Sequence, residues 1–339
     1  MKSATFMFRL CSLADFPGLL KLATKSFVII KIISVRFLIC FMEMQNFFLD
    51  PGELKFLKQK TKLIAKFLQE EIKKQKLEAS VFVGGSLAKE TMVKSENYDA
   101  DVFIRFDWKY ENLSPYLEKI VQAVSSKMKL PFESVHGSRD YFRIIDGKLF
   151  FEIIPVVKIK KPSEARNVTD LSYFHVNYIA KHLEKKARKE VILAKKFCQS
   201  IGVYGAESYI NGFSGYGLEC LIVCYKSFSK MLKALSLVNE RIILDPAKHY
   251  KKKNEILFAL NEAKLQSPII LLDPTWKERN VLAALSLETF RKFQEQAKKY
   301  LKSKRKEEFF EVKKFDVSLF EKKAKKRSAE FVHLVLETD

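Results

Sequence analysis

The pattern of apolar and polar positions predicts a helix followed by two strands near the start of the regular part of the chain. Residues 52–77 predict an amphipathic helix, because their apolar positions fall on one helical face and lysines fill the other. The apolar positions are Leu54, Leu57, Ile64, Leu68 and Ile72. Next, SVFVGGS (80–86) predicts a strand that ends in paired glycines, and the alternation in DADVFIRF (99–106) predicts a second strand.

The next elements predict a helix and a hairpin. Ser114 is followed by Pro115, which predicts a helix capped by Ser114 that runs to about Leu130. The dipeptide Asp146–Gly147 lies between two β-rich runs and predicts a β-hairpin, because it supplies the positive φ angles of a tight turn. Residues 45–160 therefore read as a mixed α/β domain.

Helical patterns dominate from Ser172 onward. Residues 173–201 predict a long helix closed by Gly202, and PIILL (268–272) predicts a buried strand. Ser286 is expected to cap a helix that ends at about Leu301. The last thirty residues are rich in lysine and poorly periodic, and no internal repeat is evident.

The N-terminal residues 1–43 form an atypical extension. Residues 27–42 are apolar but contain Lys31 and Arg36, which is unfavourable for a membrane span. Three interpretations stay open: a membrane anchor, a genuine appendage, or a start codon assigned too early, with Met42 or Met44 as the true start. We expect no stable membrane association. The chain has five cysteines and no CxxC pair, which favours a reducing, cytoplasmic location.

The charge of the chain indicates its type of partner. Lys and Arg number 61 against 40 Asp and Glu, a formal net charge of +21. Such an excess favours a polyanionic partner, with nucleic acid first and an anionic membrane second. The hydrophobic fraction of 47% excludes bulk disorder.

Carboxylates in the first domain suggest metal chemistry. Asp99 and Asp101 leave the same face of their strand, and such a pair is a candidate for Mg²⁺, which prefers oxygen ligands. Glu152 lies in an otherwise apolar strand and could supply a third carboxylate. Ser86 and Lys89 follow the paired glycines and could contact a phosphate. Each feature alone also fits a solvated edge or an ordinary turn; their order along the chain favours a phosphate loop beside a metal site.

That order resembles the nucleotidyltransferase superfamily of the DNA polymerase β type. Further blocks resemble the archaeal (class I) CCA-adding enzymes, the tRNA nucleotidyltransferases, from about residue 45 to about residue 310. These blocks are residues 201–207 (IGVYGAE), 212–216 (GFSGY) with Glu219, Phe174–His175, Asp273–Pro274 with residues 279–284 (RNVLAA), and residues 307–310 (EEFF).

The resemblance implies an α/β and α+β multidomain fold. It implies a polymerase β-like nucleotidyltransferase head with a mixed sheet and flanking helices over residues 44–160. A helical neck that binds nucleotide and tRNA would follow over 161–265, and an α/β body region over 266–339, with the tail domain largely missing.

The resemblance also implies the activity: addition of C, C and A to the 3′ end of tRNA from CTP and ATP, with two Mg²⁺ ions. Asp99, Asp101 and Glu152 would be the catalytic metal ligands, and Arg279 would help to select C and A. The other implied nucleotide contacts are Ser86, Lys89, Ser172, His175, Lys195 and Tyr204.

The sequence departs from the family at three of these positions and at its end. The family usually has Asp at the position of Glu152, Arg at that of Lys89 and Thr at that of Ser172. Three explanations of the short tail stay open: tRNA is held with less surface, a separate chain supplies the tail, or the gene is split or truncated. The resemblance leaves a homodimer open as well. Two other functions also stay open: another template-independent RNA nucleotidyltransferase, of the poly(A), oligoadenylate or partial-CCA type, and a catalytically silent RNA-binding subunit.

Overall fold

The computed structural model describes residues 47–137 and 139–311, and their first half is built around a five-stranded mixed sheet. The strands lie in the order β1-β2-β5-β4-β3. β2 and β5 pair in parallel, and the other three pairs are antiparallel. The strands are β1 (Ala79–Val83), β2 (Tyr98–Phe106), β3 (Phe132–Val135), β4 (Tyr141–Asp146) and β5 (Leu149–Val157).

Three helices belong to this half, and two of them form its core against the sheet. They are α1 (Pro51–Lys74), α2 (Gly85–Lys89) and α3 (Ser114–Met128). The predicted apolar face of α1 is confirmed, since Leu57, Ile64, Leu68 and Ile72 are all buried. The β4–β5 hairpin is also confirmed, with Gly147 at a φ of +61°.

The second half is mainly helical and adds a small three-stranded sheet. Its strands lie in the order β6-β7-β8, with β6 and β7 parallel and β7 and β8 antiparallel. Short 3-10 turns at Pro162–Glu164 and Val168–Leu171 lead into it. Its elements are α4 (Ser172–His182), α5 (Lys185–Ser200), α6 (Gly215–Tyr225), α7 (Phe228–Ser236), β6 (Ile242–Leu244), α8 (Lys253–Ala259), α9 (Glu262–Leu265), β7 (Ile269–Asp273), β8 (Trp276–Asn280) and α10 (Leu287–Lys302).

Most of the buried apolar residues of the described chain form two large clusters. The first contains buried residues between Leu57 and Leu171, and the second contains buried residues between Ile179 and Phe310. The second cluster includes residues on both sides of position 265, because α5, α6, α7, β7 and α10 all pack into it. The domain boundaries at 160 and 265 stay predictions.

The structure corrects two local expectations. Ser114 is the first residue of α3 and not its cap; Leu113 is the N-cap residue. The long helix predicted over 173–201 is two helices, because Leu183 has an extended backbone and buries its side chain between them. Strand β3 was not predicted, since only four residues form it and two of them are exposed.

Three other predicted features are confirmed. β7 is entirely buried, Ser286 caps α10 by accepting a hydrogen bond from the Thr289 amide, and Gly202 follows α5 with a φ of +65°. The apolar run at 27–42 and the lysine-rich residues after 311 lie outside the described residues. None of the helices described between residues 47 and 311 has the length and apolar character needed to cross a membrane.

Candidate active site

Carboxylates crowd one face of the five-stranded sheet. On the parallel strands β2 and β5, Asp101 is the direct register partner of Glu152, one strand spacing or about 4.8 Å away. Asp99 lies two residues earlier on β2 and shares that face, whereas Ala100 and Phe151 point to the opposite face and are buried in the core. Burial, and next the charge of Glu152, raise the pKa of Asp101 to about 6. The three acids therefore make this face strongly electronegative.

A glycine turn lies directly against Asp101. The amide of Gly84 donates a hydrogen bond to the backbone carbonyl of Asp101, at 2.9 Å. Gly85 has a φ of +59°, and a Cβ atom at this position would lie 1.6 Å from Oδ2 of Asp101. Glycine is required for both the backbone conformation and the close approach. The turn and the acidic face therefore form one unit.

The donor chemistry of this face suits a hard divalent cation, because carboxylate oxygens are its preferred ligands. Glu152 Oε1, however, accepts hydrogen bonds from Arg143 at 2.9 Å and from the Tyr141 hydroxyl at 3.2 Å. In the part of the chain that the structure describes, no three His, Cys, Asp or Glu side chains are arranged to hold a metal ion as they stand. Asp99 and Asp101 fit such an ion, and the hydrogen bonds from Arg143 and Tyr141 both fall on the Oε1 atom of Glu152 and not on Oε2. The metal assignment stays a prediction.

Four of the predicted site residues line one cavity of about 220 Å³. Ser86 and Asp99 come from the first half of the chain, and Lys195 and Tyr204 come from the second half. Burial raises the pKa of Tyr204 to about 12, so its hydroxyl stays protonated and can donate a hydrogen bond. The fold thus brings residues more than a hundred positions apart to a single concave site.

A buried glutamate holds the two predicted phosphate-binding lysines. Lys89 Nζ lies 2.6 Å from one carboxylate oxygen of Glu219, and Lys195 Nζ lies 2.9 Å from the other. The Thr91 hydroxyl also donates to Glu219, at 2.6 Å. Burial alone would raise the pKa of Glu219, but Lys195 and Lys89 outweigh it and lower that pKa to about 2. This cluster, which we call the Glu219 cluster, joins α2 and the chain after it to α5 and α6.

Two of the remaining predicted nucleotide contacts, His175 and Arg279, bond to a second buried acid, Asp273. His175 Nε2 lies 2.9 Å from Asp273, and Arg279 donates to the same carboxylate at 2.7 Å. Ser172 is one helical turn before His175 on α4, which packs against α2. Burial lowers the pKa of His175, so the imidazole is neutral at pH 7. Arg279 lines a cavity of about 470 Å³ together with Trp276.

Sequence reasoning did not identify the central roles of Glu219 and Asp273. Each is an acid in an otherwise apolar run, GYGLECLIVCY for Glu219 and IILLD for Asp273. The same signal drew attention to Glu152 and could have found both residues.

Comparison with known proteins relates the chain to one family. Residues 189–311 match the family model of the tRNA nucleotidyltransferase second domain. The chain is 40% identical over 212 residues to the CCA-adding enzyme of Nanoarchaeum equitans, covering 62% of this chain and 52% of that protein. It is 32% identical over 236 residues to the CCA-adding enzyme of Saccharolobus shibatae, covering 69% of this chain and 54% of that protein. The chain thus spans about half the length of these relatives.

The fold is also found in more distant proteins. A structure of the Cid1 poly(U) polymerase matches with a TM-score of 0.60 at 11% identity, covering 81% of this chain and 98% of that one. This likeness concerns the fold, and it confirms the predicted polymerase β-like nucleotidyltransferase architecture.

Proposed function

We propose that this chain, a homologue of the archaeal CCA-adding enzymes, adds C, C and A to the 3′ end of tRNA from CTP and ATP and releases pyrophosphate. The observation that carries this proposal is the cavity of about 220 Å³ lined by Ser86, Asp99, Lys195 and Tyr204. A hydroxyl, a carboxylate, an ammonium group and a phenol there meet beside the glycine turn. These are the groups that a triphosphate and its accompanying cation require.

In this proposal Asp99, Asp101 and Glu152 hold two Mg²⁺ ions, which would lower the pKa of the tRNA 3′-hydroxyl and neutralise the charge of the leaving pyrophosphate. Ser86, Lys89 and Lys195 bind the triphosphate, and Tyr204 donates to its phosphate or sugar. The raised pKa of Asp101 supports this role, because a carboxylate crowded by other acids gains most from a nearby cation.

Base selection belongs to the second half of the chain in this proposal. Arg279 presents guanidinium donors to the base, and Ser172 and His175 lie beside the nucleotide. No nucleic acid template takes part. The net charge of +21 supports tRNA as the substrate, and affinity for tRNA should fall steeply with salt.

We include in the proposal a second chain, either a copy of this one or a separate tail-bearing protein, and a cytoplasmic site of action. Light scattering of the purified protein with and without tRNA measures the stoichiometry of the complex and distinguishes a homodimer from a monomer.

A second candidate function has one specific observation in its favour. The Glu152 carboxylate is bonded to Arg143 and Tyr141. If these bonds held Glu152 away from the cation, the chain would lack the third metal ligand and would act as a catalytically silent RNA-binding subunit. Poly(A), oligoadenylate or partial-CCA synthesis uses the same groups and differs only in which nucleotides are added.

The test is nucleotide incorporation by the full chain. The substrates are tRNAs that lack one, two or three terminal nucleotides, each with one labelled nucleoside triphosphate and Mg²⁺. We expect C on the two shorter tRNAs and A only on tRNA ending in CC. Incorporation of A alone would favour poly(A) or oligoadenylate synthesis, C without A would favour partial addition, and no incorporation with retained tRNA binding would favour the silent subunit.

Asp101→Ala is the matched control for this assay. We expect incorporation to fall by at least about 10²- to 10³-fold, because the site loses a proposed metal ligand, whereas tRNA binding should be largely unchanged. Incorporation at the wild-type rate by D101A would refute the assignment of Asp101 to the catalytic site.

A further inference from the structure

Asp273 is a fully buried carboxylate at the end of β7 that receives hydrogen bonds from both its own turn and other elements. One oxygen, Oδ1, accepts from the Thr275 amide at 2.8 Å, the Thr275 hydroxyl at 2.7 Å and the Tyr216 hydroxyl at 3.2 Å. The other oxygen, Oδ2, accepts from Arg279 at 2.7 Å and faces His175 Nε2 at 2.9 Å. The turn thus anchors one oxygen and leaves the other for Arg279 and His175.

All these partners are donors, and only an ionised carboxylate accepts from all of them. Burial alone would raise the pKa of Asp273, but His175 and Arg279 hold it well below its usual range, so the group stays ionised. Because His175 is neutral and faces an acceptor, its proton lies on Nε2. Its ring also stacks on Tyr216, with centroids 3.9 Å apart.

Arg279 is oriented by this carboxylate at the wall of the larger cavity. Its side chain is 22% exposed, and one terminal nitrogen, NH1, is bonded to Asp273. A guanidinium group is a planar fork, so fixing one nitrogen restricts where the remaining N–H groups point. The cavity of about 470 Å³ is the space into which such a group can present donors.

Resting on the function proposed above, we propose that Asp273 is the positioning residue that sets base selection through Arg279. A fixed donor accepts bases that offer an acceptor at the matching ring nitrogen. Cytosine N3 and adenine N1 are acceptors, whereas the same positions of uracil and guanine carry a proton. A rigid guanidinium therefore favours C and A over U and G, and a loose one loses this discrimination, because it can turn toward the carbonyl oxygens of U and G.

The test compares wild type with Asp273→Asn. Asparagine has nearly the same shape but only one acceptor oxygen. The Thr275 amide can only donate and holds that oxygen, so the NH₂ group faces Arg279 and His175, which lose their common acceptor. We expect the ratio of kcat/KM for CTP over UTP, and for ATP over GTP, to fall by at least about tenfold. Thr275→Val, which removes one donor from the far oxygen and leaves Arg279 bonded, should keep the wild-type ratios.

A double variant distinguishes positioning from a general structural role. If Asp273 acts through Arg279, D273N should cause no further loss of selectivity in a chain that already carries Arg279→Lys. Should D273N fail to fold, Asp273→Glu, which keeps the charge and displaces it by one methylene, gives the same readout.

Two outcomes separate the inference from the function on which it rests. A wild-type chain that incorporates neither CTP nor ATP refutes the proposed function. An active wild type together with a folded D273N or D273E variant of unchanged selectivity refutes the role of Asp273 alone.

Discussion

Enclosed carboxylates have oppositely shifted pKa values in two regions of the protein. One region is the sheet face formed by β2 and β5, and the other is the Glu219 cluster. On the sheet face, burial and then the charge of the neighbouring Glu152 raise the pKa of Asp101 to about 6. In the cluster, Glu219 lies between two lysines, and its pKa is lowered to about 2. Both acids are enclosed by protein, so the sign of the neighbouring charges decides the difference.

The difference indicates which charges the chain balances by itself. The Glu219 cluster balances its acid with its own lysines and joins the two halves of the described fold. The acidic face has an excess of negative charge that a bound cation would balance. Lys89 belongs to both regions, because it bonds to Glu219 and also lowers the pKa of Asp101.

Among the substitutions considered, Glu219→Ala should cause the largest loss of stability. Lys89 and Lys195 would remain as buried cations without their anion, and their side chains are only 10% and 4% exposed. We expect the free energy of unfolding in denaturant to fall by about 3–5 kcal/mol. Glu219→Gln keeps the shape and one acceptor, so its loss should be smaller.

The matched control is Glu70→Ala, which removes an exposed acid paired with Lys127. Its effect on the free energy of unfolding should be much smaller than that of E219A, because solvent screens an exposed ion pair. If E219A unfolded at the same denaturant concentration as E70A, the lysines would not depend on Glu219 for their burial.

Gly85→Ala tests the contact between the glycine turn and Asp101. Gly147→Ala provides the comparison, because Gly147 also has a positive φ but a Cβ there would meet no atom within 4 Å. Each alanine should cost about 1–2 kcal/mol through its left-handed backbone. G85A should cost more and should also lower nucleotide incorporation, because its Cβ displaces the Asp101 carboxylate. Equal effects of the two variants on stability and activity would contradict the close approach.

The smallest expected effect is on the pH dependence of stability. Asp101 has a pKa of about 6 in the folded chain, against an ordinary value of 3.8 for an aspartate in water, so the folded state binds its proton more tightly. Its contribution to stability therefore falls as pH rises from about 4 to about 6. Glu219 has the opposite sign: its stabilising contribution is present above pH 4.5 and is lost as pH falls toward 2.

Unfolding measured against pH separates these two contributions. We expect Asp101→Asn to remove the fall in the free energy of unfolding between pH 4 and 6, and E219Q to remove the fall below pH 4.5. Each change in slope should correspond to at most about one bound proton. An unchanged slope in both variants would show that neither carboxylate is perturbed as described.

The local elements could be predicted from the sequence, and the long-range clusters could not. The helix α1, the β4–β5 hairpin and the buried strand β7 follow from periodicity and turn residues within each segment. Lys89 and Glu219, by contrast, are 130 residues apart, and no local pattern links them. The pairing of His175 with Asp273 spans 98 residues and escaped prediction for the same reason.

The acidic face could be predicted from the sequence only in part. The two aspartates could be placed on one face from strand alternation, and Glu152 was noticed as an acid in an apolar run. The bond from Glu152 to Arg143 was missed, because it depends on the register of β4 against β5, where these two residues are direct partners. Register follows from the hairpin geometry rather than from either residue alone.

The central position of β2 and β5 in the sheet has a consequence for the evolution of this chain. The backbone hydrogen bonds of four neighbouring strands set the separation between the Cα atoms of Asp101 and Glu152. Mutations elsewhere can hardly alter that separation without disrupting the sheet. The distance between the two carboxylate groups is therefore changed most simply through the length of the side chain at position 152. Exchanging aspartate and glutamate at this position changes the distance between the two carboxylates by the length of one methylene group and leaves the backbone of the sheet unchanged.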